Sequence, residues 1–203
     1  CVAESRAFPR APARPAAHLP PPAAGAVNRP AAANFVGVGG RAVVAGNRGS
    51  AGRGGGAGLT ALREKPAAIN FATLIGHNTV RAAVMGTENR MPKVRELIRM
   101  RSFVWKAMAD GAIGFSTGLQ YVPGTYARSN EIVELARVAA NQGGIYATHM
   151  RNEGTRLEEA VAESIQVGRL VDIPVQISHL KGDSPSRWGA SAAALTLIDD
   201  ARA

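Results

Sequence analysis

The feature of this sequence that most limits its fold is an alternation of short apolar runs with longer helical patterns, which begins near Asn70. The runs GAIGFSTGL at 111–119 and GIYATHM at 144–150 are bounded by glycines and predict buried strands. Between such runs, apolar residues recur at the three-to-four-residue spacing of a helix face, as over 94–108. Strands that alternate with helices predict βαβ units and a parallel sheet.

The number of strands indicates an incomplete barrel. About five or six strand-like runs are present, including RAVVAG at 41–46, NFATLIG at 70–76 and VRAAVMG at 80–86. A closed (β/α)₈ barrel usually takes about 250 residues. We therefore predict an α/β fold, a partial (β/α)₈ TIM-like barrel of parallel strands and helices. An open doubly wound sheet is the alternative, although no G-x-G-x-x-G motif opens a helix after a strand.

The first part of the chain has a different composition. Residues 1–34 hold seven of the twelve prolines among many alanines and arginines, and they show no hydrophobic period. Such a segment buries too little apolar surface to offset the entropy lost on ordering. We predict a disordered lead over 1–34 and a partial (β/α) barrel over 35–203.

The formal net charge of +9 is a weak argument for nucleic-acid binding once it is located. Residues 1–60 carry seven of the 24 basic side chains and one of the 15 acidic ones, a net charge of +6, which leaves +3 for 61–203. Basic and aromatic residues do not interleave, so we expect no specific nucleic-acid partner. No apolar stretch approaches 18 residues, so we expect no membrane span. The single cysteine, Cys1, is typical of a cytoplasmic protein.

Polar groups follow several of the predicted strands, where the active sites of such barrels lie. Three of the four histidines, His77, His149 and His179, stand at these strand ends. Each one alone is more often a structural residue, but three at equivalent positions favour a site. His149 and Arg151 are two residues apart, and an imidazole beside a guanidinium suits a carboxylate or a polarised carbonyl. The alternative for Arg151 is an ion pair with Glu153 or Glu158.

His179 raises the question of a metal ion. It follows Val175 and Ile177 on the same face of a predicted strand, so its ring can point into the barrel lumen. Neutral imidazole is a common ligand of zinc-like ions. The alternative is a strand that ends in a solvated loop. Lys181 could bind a substrate anion, although a solvated loop lysine is the more common case.

Four motifs in order resemble the N-acyl-D-amino-acid deacylases (D-aminoacylases) of the metal-dependent amidohydrolase superfamily. They are LIGHNTVRAAVMG, GAIGFSTGLQYVPGTYA, GGIYATHMRNEG, and IPVQISHLKG followed by RWG. The resemblance covers roughly residues 40–203. It implies a zinc-bearing (β/α)₈ barrel that hydrolyses the amide bond of a small-molecule N-acyl-D-amino acid to a carboxylate and a D-amino acid.

The resemblance also implies roles for individual residues. His179 corresponds to a metal ligand, and His149 and Arg151 become substrate-binding candidates. The H-x-H motif of the family is absent, and Arg48 stands where its G-N-C-G motif has a ligand cysteine. No catalytic residue is assigned, because the family's catalytic aspartate follows the matched motifs. A non-catalytic binding protein built on the same barrel is therefore the alternative function, and a cyclic amidohydrolase is a further variant. The sequence leaves the oligomeric state open.

Overall fold

A five-stranded parallel sheet organises the chain. The computed structural model describes residues 42–46 and 70–203. The strands lie side by side in the order in which they occur in the sequence, and every neighbouring pair is parallel. They are β1 (Ala42–Ala45), β2 (Asn70–Gly76), β3 (Gly114–Gly118), β4 (Ile145–His149) and β5 (Val175–Ile177). Sequential parallel order is the arrangement of a barrel wall, so the predicted partial (β/α) barrel is confirmed.

Helices connect the strands from β2 onward. They are α1 (His77–Met85), α2 (Val94–Ala109), α3 (Ser129–Ala140), α4 (Leu157–Val171) and α5 (Ser191–Arg202). Two short 3₁₀ turns, Gly124–Tyr126 and Pro185–Arg187, lie in the loops after β3 and β5. Within the described residues, no helix combines the length and the apolar character needed to cross a membrane.

One predicted strand is wrong. Residues 80–85 of this run lie within α1, which begins directly after β2, and Gly86 follows its last residue. Val80 and Met85 are buried in the core while Ala82 and Ala83 are exposed, and this is the burial pattern of a helix with one apolar face. A short run of apolar residues does not by itself separate a strand from a buried helix segment. The predicted disordered lead over 1–34 lies outside the described residues.

The main core fills the space between the sheet and the helices. Phe115 of β3 and Tyr146 of β4 stack with ring centroids 6.0 Å apart and pack beneath Val104 and Leu135 of the helix layer. The Tyr146 hydroxyl lies 2.9 Å from Thr117 Oγ1, which also donates to Thr148. The threonines satisfy the one polar group that the tyrosine brings into this apolar layer.

The alternation of side chains along the strands defines a second face of the sheet, which we call the inner face. Phe115 pairs with Tyr146 and both face the helices, so Ser116, Ala147 and His149 point to the opposite, inner side. The Ser116 hydroxyl donates to the carbonyl of Gly46 at the end of β1. The inner face therefore presents polar groups at the carboxyl ends of its strands.

Candidate metal and substrate site

Two histidines meet at the carboxyl ends of β4 and β5. The Nδ1 atom of His149 lies 2.5 Å from the Nε2 atom of His179, and the two ring centroids are 4.4 Å apart. The His149 ring is buried, whereas the His179 side chain is 46% exposed. The pair therefore sits at the mouth of the barrel wall, with one ring in the wall and the other open to solvent.

The route by which His179 reaches this position differs from the sequence prediction. Val175 and Ile177 do not face the inner side, because they pack against the helix-side clusters. Simple alternation would therefore turn His179 away from His149. Instead, β5 ends at Ile177, and His179 adopts a left-handed backbone conformation with φ of 37°. Non-glycine residues occupy this region at a cost of about 1–2 kcal/mol, and such residues concentrate at functional sites.

Glu153 anchors the exposed ring. Its carboxylate is nearly buried, and Oε1 lies 2.7 Å from Nδ1 of His179. The other carboxylate oxygen pairs with the ammonium of Lys181. The backbone carbonyl of Glu153 also accepts a hydrogen bond of 2.9 Å from the amide of Asp183. The loop after β4 and the loop after β5 are thus joined through one glutamate.

Arg151 lies apart from this group. Its guanidinium donates two hydrogen bonds, of 3.0 and 2.9 Å, to the carboxylate of Glu163 on α4, and a third to the carbonyl of Thr125. Burial would raise the pKa of Glu163, but the hydrogen bonds from Arg151 and Ser129 hold it below its ordinary value. An ion pair was the alternative for Arg151, although its partner is Glu163 and not Glu153 or Glu158. Its substrate role stays a prediction.

The third strand-end histidine, His77, does not join the site. It is the first residue of α1 and is fully buried, with Nε2 2.8 Å from Oε1 of Glu131 on α3. Arg81 is also fully buried and donates to the other carboxylate oxygen at 2.5 Å. These three side chains tie α1 to α3. The expectation that three histidines occupy equivalent positions is wrong for His77, because the chain turns into a helix directly after Gly76.

The two histidines have some of the features of a zinc site. Two imidazole nitrogens converge, and the ring of His179 is oriented through its second nitrogen by a carboxylate, as ligand histidines usually are. These residues fit a metal ion as two of its ligands. Within residues 42–46 and 70–203, however, no group of three or more histidine, cysteine, aspartate or glutamate side chains could hold a metal ion. Catalytic zinc sites use three protein ligands, so the described residues supply only part of one.

A surface cavity of about 380 Å³ lies at the other end of the sheet. It is lined by the C-terminal halves of α2 and α3 and the turn that leads into β4, with Arg101, Ser102, Trp105, Val138, Asn141 and Gln142. Because these segments precede the strands, the cavity opens near the amino ends of the strands. It has no part in the histidine site at the carboxyl ends.

The chain was compared with known proteins. No family model matches it. It is 46% identical over 145 residues to the D-aminoacylase of Alcaligenes xylosoxydans xylosoxydans, and 43% identical over 143 residues to the N-acyl-D-glutamate deacylase of the same organism. These matches take in 71% and 70% of this chain. The chain belongs to the D-aminoacylase family. The resemblance seen in the four sequence motifs is thereby confirmed.

Solved structures of D-aminoacylases support the same assignment. A crystal structure of D-aminoacylase, described as defining a novel subset of amidohydrolases, superimposes with a TM-score of 0.78 at 36% identity over 82% of this chain. The N-acyl-D-glutamate deacylase of Bordetella bronchiseptica, complexed with zinc and a phosphonate inhibitor, gives a TM-score of 0.78 at 34% identity over 83% of this chain. Another D-aminoacylase structure concerns a binuclear metal centre.

The chain corresponds to only part of these D-aminoacylases. It spans 30% of the length of the first curated relative and 40% of the first solved structure. Glu163 is a site neighbour that the sequence did not single out, and Glu153 was considered only as an ion-pair partner of Arg151 and not of His179. The signal for Glu153 was its position within GGIYATHMRNEG, four residues after His149. Glu163 lies in the middle of α4 and carries no comparable signal.

Proposed function

We propose that this chain contributes part of the active site of a metal-dependent N-acyl-D-amino-acid deacylase. The reaction is hydrolysis of the amide bond of an N-acyl-D-amino acid to a carboxylate and a free D-amino acid. Support comes from family membership together with one observation, the 2.5 Å approach of His149 Nδ1 to His179 Nε2. These two nitrogens come from adjacent strand ends and face each other, so a separation of the rings to roughly 3.3 Å would let both bind one cation.

In this proposal His149 and His179 are two ligands of a zinc-like ion. The position of His149 opposite His179 favours a ligand role for it over the direct substrate contact expected from the sequence. A zinc ion bound there would lower the pKa of a water molecule toward neutrality and polarise the amide carbonyl. The further ligands that such an ion needs would have to come from outside the described residues.

Two basic side chains near the histidines have different proposed roles. Lys181 pairs with Glu153 but is about half exposed at the mouth of the site, so the open side of its ammonium can accept the carboxylate of a substrate while the ion pair is kept. Arg151 donates hydrogen bonds to Glu163 and Thr125, and so connects α4 to the loop after β3 at the edge of the site. A direct contact of Arg151 with substrate would require it to release one of these partners.

The test is metal content and turnover of the purified chain. Zinc bound in stoichiometric amount, with hydrolysis of N-acetyl-D-methionine and none of its L-enantiomer, supports the proposal. Zinc binding that is lost in both His149→Ala and His179→Ala would place the metal at this pair. A chain that binds no zinc and releases no acetate or methionine contradicts an active deacylase.

One observation favours a second candidate, a non-catalytic binding protein. The described residues offer only two converging metal donors, and residue 48 is an arginine, which cannot ligate zinc. A barrel mouth with Lys181 and His149 could still bind the carboxylate of an N-acyl amino acid. Calorimetry distinguishes the two functions, because binding of N-acetyl-D-methionine that chelator leaves unchanged supports the binding protein.

A further inference from the structure

We infer that Glu153 is a positioning residue that fixes the tautomer of His179, an inference that rests on the proposed function for its consequence in metal binding. An ionised carboxylate can only accept hydrogen bonds. The 2.7 Å contact between Glu153 Oε1 and His179 Nδ1 therefore requires a proton on Nδ1. In the neutral ring the lone pair is then on Nε2, the atom that faces His149.

Lys181 fixes the carboxylate in turn. Its ammonium contacts the second oxygen of Glu153 and lies 3.2 Å from Nδ1 of His179. Because Nδ1 carries the proton that Glu153 accepts, this last contact is not a hydrogen bond to a lone pair. Glu153 is nearly buried, and a buried carboxylate between two donors has few other orientations. The contacts of Lys181 with Glu153 and of Glu153 with His179 thus direct one imidazole lone pair toward His149.

The backbone of the two loops supports the same arrangement. The amide of Asp183 donates to the carbonyl of Glu153, and the side-chain oxygen of Asn152 accepts from the amides of Gly154 and Arg156. A methyl group added at Gly154 would lie 2.8 Å from Oδ1 of Asp183, so the loops approach closely here. These contacts hold the Glu153 backbone while its side chain holds His179.

The consequence for metal binding follows from general coordination chemistry. A carboxylate that accepts the second N–H of a ligand histidine orients the ring and raises the basicity of its donor nitrogen, and loss of such a partner usually costs about 10- to 100-fold in metal affinity. His179 adopts a left-handed backbone conformation and is half exposed, so few packing contacts orient its ring. Glu153 holds the far side of that ring, opposite the nitrogen that faces His149.

The test measures the tautomer of His179 directly in the metal-free full chain. The method is long-range proton–nitrogen NMR correlation of the histidine rings, at a pH where the rings are neutral. We expect the Nδ1–H form for His179 in the native chain. In Glu153→Leu we expect this form to be lost. The Nδ1–H form should persist in Lys181→Met, which keeps the carboxylate of Glu153. It should also persist in the control Glu159→Leu, which changes an exposed glutamate of α4 that pairs with Arg156.

The second readout is cobalt affinity of the same four proteins. A roughly 10- to 100-fold loss in Glu153→Leu, with native affinity in Glu159→Leu, supports the inference. An Nε2–H tautomer of His179 in the native chain would overturn it, whether or not the variant folds. A chain that binds no cobalt but shows the Nδ1–H form would contradict the proposed function and leave the positioning role supported.

Discussion

His149 Nδ1 and His179 Nε2 lie 2.5 Å apart, although the residues are separated by 30 positions in the sequence. At this distance one ring donates an N–H to the lone pair of the other, so the pair as it stands is a hydrogen bond. Two nitrogens bound to one zinc ion lie roughly 3.3 Å apart, so a metal ion, which family membership favours, would replace the shared proton and move the rings slightly apart. The two histidines meet because β4 and β5 are parallel neighbours whose carboxyl ends lie at the same edge of the sheet.

Replacing His179 by asparagine should abolish zinc binding without disturbing the loop. Asparagine tolerates the left-handed backbone conformation that residue 179 adopts, so the fold should be retained while the imidazole ligand is lost. Zinc binding by competition with a chromophoric chelator measures the effect. Gln176→Asn, at an exposed position on β5, is the control. Equal zinc affinity in both variants would exclude His179 as a ligand.

The positions of most strands and helices could be predicted from the sequence because they depend on periodicity. Apolar runs such as 144–150 and the helix face over 94–108 contain that signal themselves, whereas 80–86 was ambiguous because a short apolar run suits a strand or a buried helix. The meeting of His149 with His179 could not be derived by alternation. It depends on one positive φ angle and on a glutamate from another loop, and neither has a periodic signature.

Glu131 should carry a large share of the stability of the helix layer. Glu131→Gln leaves the buried guanidinium of Arg81 without its counter-charge, which should lower the free energy of unfolding by roughly 3–5 kcal/mol. The control is Glu134→Gln on the same helix, which removes only partly exposed ion pairs and should cost less than about 1 kcal/mol. Urea unfolding at neutral pH measures both. Similar losses in the two variants would contradict this role.

The same carboxylate should make stability depend on acid pH. Burial alone would raise the pKa of Glu131, but His77 and Arg81 outweigh it and the pKa lies below the ordinary value of 4.5. A lowered carboxyl pKa gives stability that is present above pH 4.5 and is lost as the pH falls through the native-state value. Melting temperatures below pH 4.5 should therefore fall more steeply for the native chain than for Glu131→Gln. Parallel profiles would argue against it.

Tyr146 should have the opposite effect at alkaline pH. Burial raises its pKa from 10.0 to about 12, although hydrogen bonds with Thr117 and Thr148 reduce the shift. The stability linked to this group is complete below pH 10 and is lost as the pH rises toward 12. Tyr146→Phe should lose about 1 kcal/mol at neutral pH, because a hydrogen bond is removed, but decline less above pH 10. An unchanged alkaline profile would mean that the pKa of Tyr146 is the same in the folded and the unfolded chain.

Replacing Gly168 by alanine should destabilise the chain, although alanine is the best helix former. Alanine at an exposed helix position gains about 1 kcal/mol over glycine, but a methyl group here would meet Cγ2 of Val175 at 2.5 Å. Overpacking of this kind costs about 1–3 kcal/mol, so Gly168→Ala should destabilise the chain. Thermal unfolding of Gly168→Ala, Val175→Ala and the double variant measures it. The double variant should be more stable than additivity predicts, and strict additivity would refute the contact.

The most direct measurement is anomalous diffraction at the zinc absorption edge from crystals of the chain grown with zinc. We predict one peak about 2.0–2.1 Å from both Nδ1 of His149 and Nε2 of His179, with the two nitrogens moved apart to roughly 3.3 Å and Glu153 still bonded to the far side of the His179 ring. A peak at other residues only, or two rings turned apart with no zinc between them, would contradict it.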